Sequence, residues 1–389
     1  MVFKADVCIR GAGIVGRTLA LLLARERLRV ALVTSPAPDA PPDDAPLDAA
    51  GHGDVRAYAL NAASRALLES LRCWPAPLDA TPVLEMRVQG DRQGALRFSA
   101  TAQGVQALGW IVDVPALERL LIEATGFQAG IAQVPQAVAA PLTVVCEGRA
   151  SQSRAELGVD FEVTRYPHQA IATRLECELP HGQTARQWFT PEGEILAFLP
   201  LGGPYGRKVA VVWSVMRERA AALMALDGAA FAEALLQISG AELGPLRECA
   251  RRASWPLQVA QASHWVGQMP QRPQECFALA GDAAHAMHPL AGQGLNVGLG
   301  DVAELARVLA ARQAWRGVAD LRVLRHYERA RKLPWLRMKM ATDGLQQLFA
   351  HPAPAIARLR NWGLLAFDRC GPVKSYLAQL AMENSGHTL

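Results

Sequence analysis

The chain has 389 residues, 51% apolar and 20% charged, which suits two to three globular domains with large cores and excludes a disordered or fibrous protein. Its net charge of +4 is too mild to argue for nucleic acid. The seven cysteines (Cys8, Cys73, Cys146, Cys177, Cys249, Cys276 and Cys370) form no CxxC pair, which argues against a disulfide framework or zinc site and fits a reducing cytosol.

Asp6–Ile9 reads as a short buried strand. Gly11, Gly13 and Gly16 follow at GxGxxG spacing, then Thr18–Ala24 reads as a helix and Arg29–Val33 as a second strand. In that setting Gly11 permits the tight turn, Gly13 the approach of a pyrophosphate, and Gly16 close helix–strand packing. The bland alternative is a strand-to-helix turn with no ligand. An acid usually ends the second strand of such a unit and binds an adenosine ribose. Thr34 stands there instead; its hydroxyl can bond a ribose but forgoes about 1–2 kcal/mol of charge assistance. Arg10, at the end of the first strand, reads either as a phosphate ligand or as a snorkelling side chain.

Residues 36–54, rich in Pro, Asp, Ala and Gly, read as a mobile loop. Arg56 follows it, an ordinary surface arginine on spacing alone, and a helix is expected over 65–71. Residues 83–100 suit a hairpin turning at Gly90–Gly94. Leu142–Cys146 reads as a buried strand ending in Glu147–Gly148, where a carboxylate could bond a ribose or ribityl hydroxyl. From 161 to 214 the period-two signal gives strands over 161–165, 169–179, 187–190, 194–200 and 208–214, followed by helical patterning to about Ile238. Trp188, Phe189, Phe198 and Leu199 read either as the wall of an apolar pocket or as core.

Residues 281–301, GDAAHAMHPLAGQGLNVGLGD, are the most informative stretch. An apolar strand (276–280) delivers Asp282, Pro289 stiffens a bend, and Gly292 and Gly294 let backbone amides approach a ligand closely. A helix from about Leu295 then turns its positive end on that ligand. The device suits an electron-rich group that gains negative charge, as a flavin pyrimidine ring does on reduction. Two ligand loops so far apart in sequence imply one long ligand held at both ends. His285 and His288 form an HxxH pair without further ligands nearby, so no metal site is expected. Residues 311–389 carry 13 Lys or Arg against 5 Asp or Glu, an excess of +8 that leaves −4 for the rest. Within them Arg329, Arg331, Lys332, Arg337 and Lys339 surround Trp335, Leu336 and Met338, and Arg358, Arg360 and Trp362 follow. That region reads either as a solvated helix face packed on the core through its apolar side or as a surface docking on anionic lipid or a partner. No signal-peptide pattern and no bilayer-length apolar run occurs, so the expected location is cytoplasmic, with peripheral contact on the inner face of the membrane.

The motifs GAGIVG (11–16), RAYALNAAS (56–64), GWIVDVPALERLL (109–121), the EG dipeptide (147–148), ARQWFTPEGEILAFLPL (185–201) and 281–301 lie in one order along nearly the whole chain. Together they resemble the FAD-dependent aromatic hydroxylases of ubiquinone biosynthesis, within the single-component flavoprotein monooxygenases; the run 327–332 also looks typical of that branch. The resemblance implies an α/β fold like that of p-hydroxybenzoate hydroxylase. A Rossmann-like FAD-binding domain (1–75, 101–158 and 272–330) would carry an inserted antiparallel-sheet substrate domain (76–100 and 159–271) and a C-terminal helical region (331–389). It implies FAD on Gly11, Gly13, Gly16, Thr34, Arg56, Glu147, Asp282, Pro289, Gly292, Gly294, Leu295 and Asn296, with Pro289 and His288 flanking the flavin and no protein nucleophile. The implied reaction is ring hydroxylation of a polyprenylated phenol through a C4a-hydroperoxyflavin, with NAD(P)H or a protein as electron donor and a biosynthetic complex as a further partner. Four departures from the family pattern stand beside this. Thr34 replaces the ribose acid, Glu147 the usual Asp, Asp113-Val114-Pro115 an acid-Asn-Arg run, and 125–141 is short. They lie on the adenosine side and imply weak FAD retention. The rival readings are a flavin hydroxylase of a soluble aromatic, a halogenase (no WxWxIP-like segment occurs), and an eroded, non-catalytic scaffold.

Overall fold

The computed structural model describes residues 4–34, 55–90, 94–286 and 294–350, without the side chains of 334 and 337–350. The expected loop over 36–54, together with His288, Pro289, Gly292, Arg358, Arg360 and Trp362, lies outside the described residues, as do the side chains of Arg337, Met338 and Lys339.

Six strands form a sheet in the order Val266–Met269, Arg272–Leu279, Leu142–Val145, Val7–Arg10, Val30–Val33, Ile131–Val134. All pairs are parallel except the hairpin joining the first two. Val7, Cys8 and Ile9 are fully buried, as a strand covered on both faces requires. The helix Ile14–Arg25 packs its apolar side on this sheet, and Gly294–Ala310 crosses it. Between Thr125 and Pro141 there is one strand, Ile131–Val134, at the sheet edge.

A second, nine-stranded sheet is antiparallel apart from the pairing of Thr184–Phe189 with Glu85–Gln89. The expected strands over 161–165 and 169–179 are one element, Phe161–Cys177. Pro167 suggests a break because it donates no ladder hydrogen bond; the sheet absorbs it as an irregularity between Arg165 and Gln169. The hairpin of Glu85–Gln89 with Ala95–Ser99 closes where Gly90 N donates to Gly94 O at 2.6 Å. One face of this sheet is covered by the helices Arg217–Ala225 and Gly228–Ser239, which bury Trp213, Phe231 and Leu235. The other face packs on a three-stranded sheet of Ala57–Leu60, Gly109–Asp113 and Ala80–Val83.

Two expected boundaries differ. Val266–Met269, expected in the substrate domain, pairs with Arg272–Leu279 in the parallel sheet. The boundary at 330 falls inside the single helix Leu321–Ala350. Its buried residues Leu324, Tyr327, Arg331 and Trp335 recur about one turn apart and straddle that boundary. Among the described residues no helix is long and apolar enough to cross a membrane.

Candidate active site

Register brings the ligand loops together. Arg10 pairs with Val145, and Val145 with Leu279, so three neighbouring parallel strands end level. From those ends leave Gly11, Glu147–Gly148 and Gly281–Asp282, at the carboxyl edge where open α/β sheets bind ligands. Gly11 has φ +108°, and a Cβ there would meet Cys146 O at 2.5 Å. A Cβ on Gly16 would meet Gly11 O at 1.9 Å. These two glycines therefore serve close backbone packing. Gly13 is different: its Cβ would meet nothing within 4 Å, and it caps the helix Ile14–Arg25 with no side-chain bond to the first-turn amides. That open cradle before uncapped N–H groups is the shape a pyrophosphate fills. Arg17 stiffens the loop from inside, donating to Ala12 O at 2.7 Å and to Thr125 Oγ1 at 2.7 Å.

The second loop touches the first. A Cβ on Gly298 would meet the Val15 side chain at 3.0 Å, and Gly281, at φ +61°, lies against the same valine. Beneath the loop, Asp301 has no exposed surface. It accepts from Gly281 N at 3.0 Å, His285 Nε2 at 2.6 Å and Arg331 Nε at 2.9 Å. Burial alone would raise its pKa, but His285 and Arg331 outweigh that and hold the carboxyl below its ordinary value. With the carboxylate ionised, Nε2 of His285 is the donor. The His285 ring lies 4.7 Å from Trp265 and 6.0 Å from Trp335, and Tyr327 donates to Leu279 O at 2.8 Å. Asn296, buried, accepts from Asn61 N at 3.0 Å and Ser64 Oγ at 2.8 Å and donates to Ala59 O at 2.8 Å. It fastens the start of the helix Gly294–Ala310 to the strand and turn that follow Arg56. The side chain of Asn296 is thus engaged within the protein, leaving backbone amides as the groups that can face a ligand.

The other expected residues fall as follows. Asp282 keeps 41% of its side-chain surface open yet sits among enough protein to raise its pKa through desolvation, against Arg149, His285 and Arg56. Leu295 is buried in the core beside the Asn61 turn, and a Cβ on Gly294 would meet nothing within 4 Å. Arg56 is exposed and donates to Tyr58 Oη at 3.3 Å. Thr34 is half-buried, its amide paired with Val134 O at 3.0 Å. Glu147 accepts from Ser151 Oγ at 2.9 Å and from both the amide and hydroxyl of Ser153, and pairs with Arg10 at 3.3 Å. Arg10 also reaches Glu156 at 2.9 Å, so it is committed to carboxylates rather than to a phosphate. Among the described residues no three His, Cys, Asp or Glu side chains gather as a metal site.

Two readings need correction. Consecutive strand residues point to opposite faces, so the four aromatic and apolar residues cannot share one wall. Trp188 and Phe198 are core under the covering helices, stacked edge-on at 4.9 Å, while Leu199 lies on the face toward Ala57, Ala59 and Ile111. Phe189, next to Trp188, takes the face opposite to it. Arg331, expected on the basic face of its helix, is 6% exposed and falls instead with Trp335, 1% exposed, on the apolar side that packs on the core. Sequence reasoning missed Asp301, though its place on the Val297, Asp301, Leu305 stripe marks a charge aimed at the core. It also missed Arg149 and Arg154, for which spacing offers no signal.

A family model described as "FAD binding domain" matches residues 96–340, more than half of the chain. The chain belongs to that family. Relatives agree over its full length. Ubiquinone hydroxylase UbiL of Rhodospirillum rubrum is 31% identical over 97% of this chain and 89% of its own. The 3-demethoxyubiquinol 3-hydroxylase of Escherichia coli is 28% identical over 97% and 98%. Among solved structures, p-nitrophenol 4-monooxygenase of Pseudomonas putida superposes with a TM-score of 0.74 at 18% identity, covering all of both chains. PqsL of Pseudomonas aeruginosa gives 0.70 at 21%, over 93% of this chain and all of its own. This flavoprotein is an FAD-dependent monooxygenase with the fold expected, and the open cradle at Gly13 fits the cofactor.

Proposed function

We propose that this monooxygenase hydroxylates the aromatic ring of a polyprenylated phenol on the route to ubiquinone. The supporting observation is full-length similarity to two hydroxylases named for ubiquinone and its precursor. Bound FAD, reduced by NAD(P)H or a protein donor, supplies activated oxygen: one atom enters the ring and the other leaves as water. The chain's own task is to hold, orient and exclude water. Gly11, Gly13 and Gly16 would receive the pyrophosphate, Asp282 the ribityl chain, and the amides from Gly294 onward the pyrimidine edge. The start of the helix Gly294–Ala310 stabilises negative charge there, and Asn296 and Asp301 keep it from shifting. Thr34, Arg56, Glu147, Leu295 and the residues outside the described ones (Pro289, His288, Gly292) remain assigned to the cofactor site by resemblance.

On the outer face of the C-terminal helix, Leu333 and Leu336 are 52% and 44% exposed beside Arg329 and Lys332. That pattern supports peripheral contact with anionic lipid, where a polyprenylated substrate resides. The test is incubation of FAD-loaded protein with NADPH, labelled dioxygen and a short-chain prenylphenol, alongside profiling of prenylated intermediates in cells lacking the protein. Label in the ring and a matching precursor that accumulates are expected. Turnover of small soluble phenols alone, or no label and no accumulating precursor, would overturn the reading.

A further inference from the structure

We propose that Arg149 clamps the FAD pyrophosphate at the junction of the two ligand loops. This rests on the reading that the cradle holds FAD. Three observations converge. First, Arg149 follows directly on Glu147–Gly148, whose neighbour Cys146 is in backbone contact with Gly11, so it lies beside the glycine loop. Second, its Nε is 3.4 Å from Asp282 Oδ2, which places the guanidinium over the second loop as well. Third, its backbone is fixed. Arg154, 8% exposed and 3.4 Å above the Phe161 ring, donates to Arg149 O at 2.9 Å and to Ala283 O at 3.1 Å. One buried arginine thus ties the main chain at Arg149 to the residue after Asp282.

The charge balance favours this role. A pyrophosphate brings two negative charges to a place where Asp282 already stands. The uncapped helix end at Gly13 contributes about half a positive charge. Arg149, 38% exposed, meets Asp282 only at ion-pair distance, and its planar fork keeps other N–H donors for phosphate oxygens. Arg149 therefore offsets at the phosphates part of what Thr34 forgoes at the ribose.

The experiment compares FAD with riboflavin, which has the same ring system and no phosphate, by fluorescence quenching of apoprotein at low and high salt. Arg149→Gln is expected to weaken FAD by about 10- to 100-fold at low salt, the loss of charge-assisted hydrogen bonds. Added salt should shrink the difference, and Arg149→Lys should recover part of it. Riboflavin affinity and the melting temperature should stay at the wild-type values. Equal weakening of FAD and riboflavin would mean a merely structural residue and overturn the proposal. So would unchanged FAD affinity, including the case where only the KM for a nicotinamide donor rises. Wild-type protein that binds no FAD would sink both the clamp and the cofactor reading; wild-type binding with an unaffected Gln variant sinks the clamp alone.

Discussion

The two ends of the cofactor cleft are built to different standards. Beneath the 281–301 segment the buried acid and amide are locked: Asp301 takes three donors in full burial, Asn296 serves three partners, and Tyr327 and Arg331 arrive from a helix far along the chain. At the other end Thr34 replaces an acid, and Arg10 pairs with Glu147 and Glu156, whose side chains are 24% and 60% exposed. Binding an adenosine tail is tolerant of loose geometry because the contribution is affinity alone. Oxygen chemistry is not, because a loop shifted by an ångström admits water. On the proposed placement of FAD, the rigidity sits where the reaction would occur.

The largest test of that contrast is Asp301→Asn against Glu147→Gln. The first leaves Arg331 as an uncompensated buried charge and should lower stability by about 3–5 kcal/mol. The second weakens a half-exposed ion pair with Arg10 together with the bonds from Ser151 and Ser153, and should cost about 1–2 kcal/mol, the smaller loss. Urea melts of the two variants measure both. Similar losses would mean that the two ends are equally rigid.

Next comes the glycine loop. Gly16→Ala forces a Cβ against Gly11 O, an overlap that backbone must absorb, with a loss of about 1–3 kcal/mol and of FAD binding. Gly13→Ala meets open space. It should leave the melting temperature where it was and still weaken FAD, because the methyl stands in the pyrophosphate's place. If Gly13→Ala binds FAD normally, the cradle is not where the phosphates lie.

On the adenosine side, Thr34→Glu should tighten FAD by about 1–2 kcal/mol, roughly tenfold, by restoring a charge-assisted bond to the ribose. The unaltered chain should lose FAD on dialysis more readily than this variant. A stoichiometric flavin surviving dialysis in the unaltered protein would show that the tail is held by other means.

The difference between the ends also decides what the sequence reveals. Gly11, Gly13 and Gly16 are legible because their chemistry is local: a turn, an approach and a contact, each dictated by neighbouring residues. The alternation over 161–214 gives the strands for the same reason. It also rules out a common wall of Trp188 with Phe189, an inference available from period two alone. Asp301 and Arg331 are another matter. A buried pair joining two helices 30 residues apart leaves only a charge on each apolar stripe. On a basic helix that charge looks like surface until its partner is known. Glu147 shows the converse, a motif position whose carboxylate the fold engages with Ser151 and Ser153.

The smallest effect separates the two buried-loop acids by sign. Asp301 has a folded pKa below its ordinary 3.8, so it contributes stability above that value, lost as pH falls through the folded pKa. Asp282 is shifted the other way, first by desolvation, so its folded form holds its proton more tightly than the unfolded chain does. Its contribution is present below 3.8 and is lost as pH rises through the folded pKa. Asp282→Asn should therefore leave apoprotein melting unchanged in acid and raise it slightly at neutral pH, a small effect because 41% of the side chain remains in solvent. The same variant should bind FAD more weakly, having lost an acceptor for the ribityl hydroxyls. Melting curves of apoprotein from pH 3 to 8 distinguish this from the alternative. If the variant melts lower at neutral pH, the Arg149–Asp282 pair is a strut of the fold. The junction of the two ligand loops would then be as firmly built as the Asp301 network beneath it.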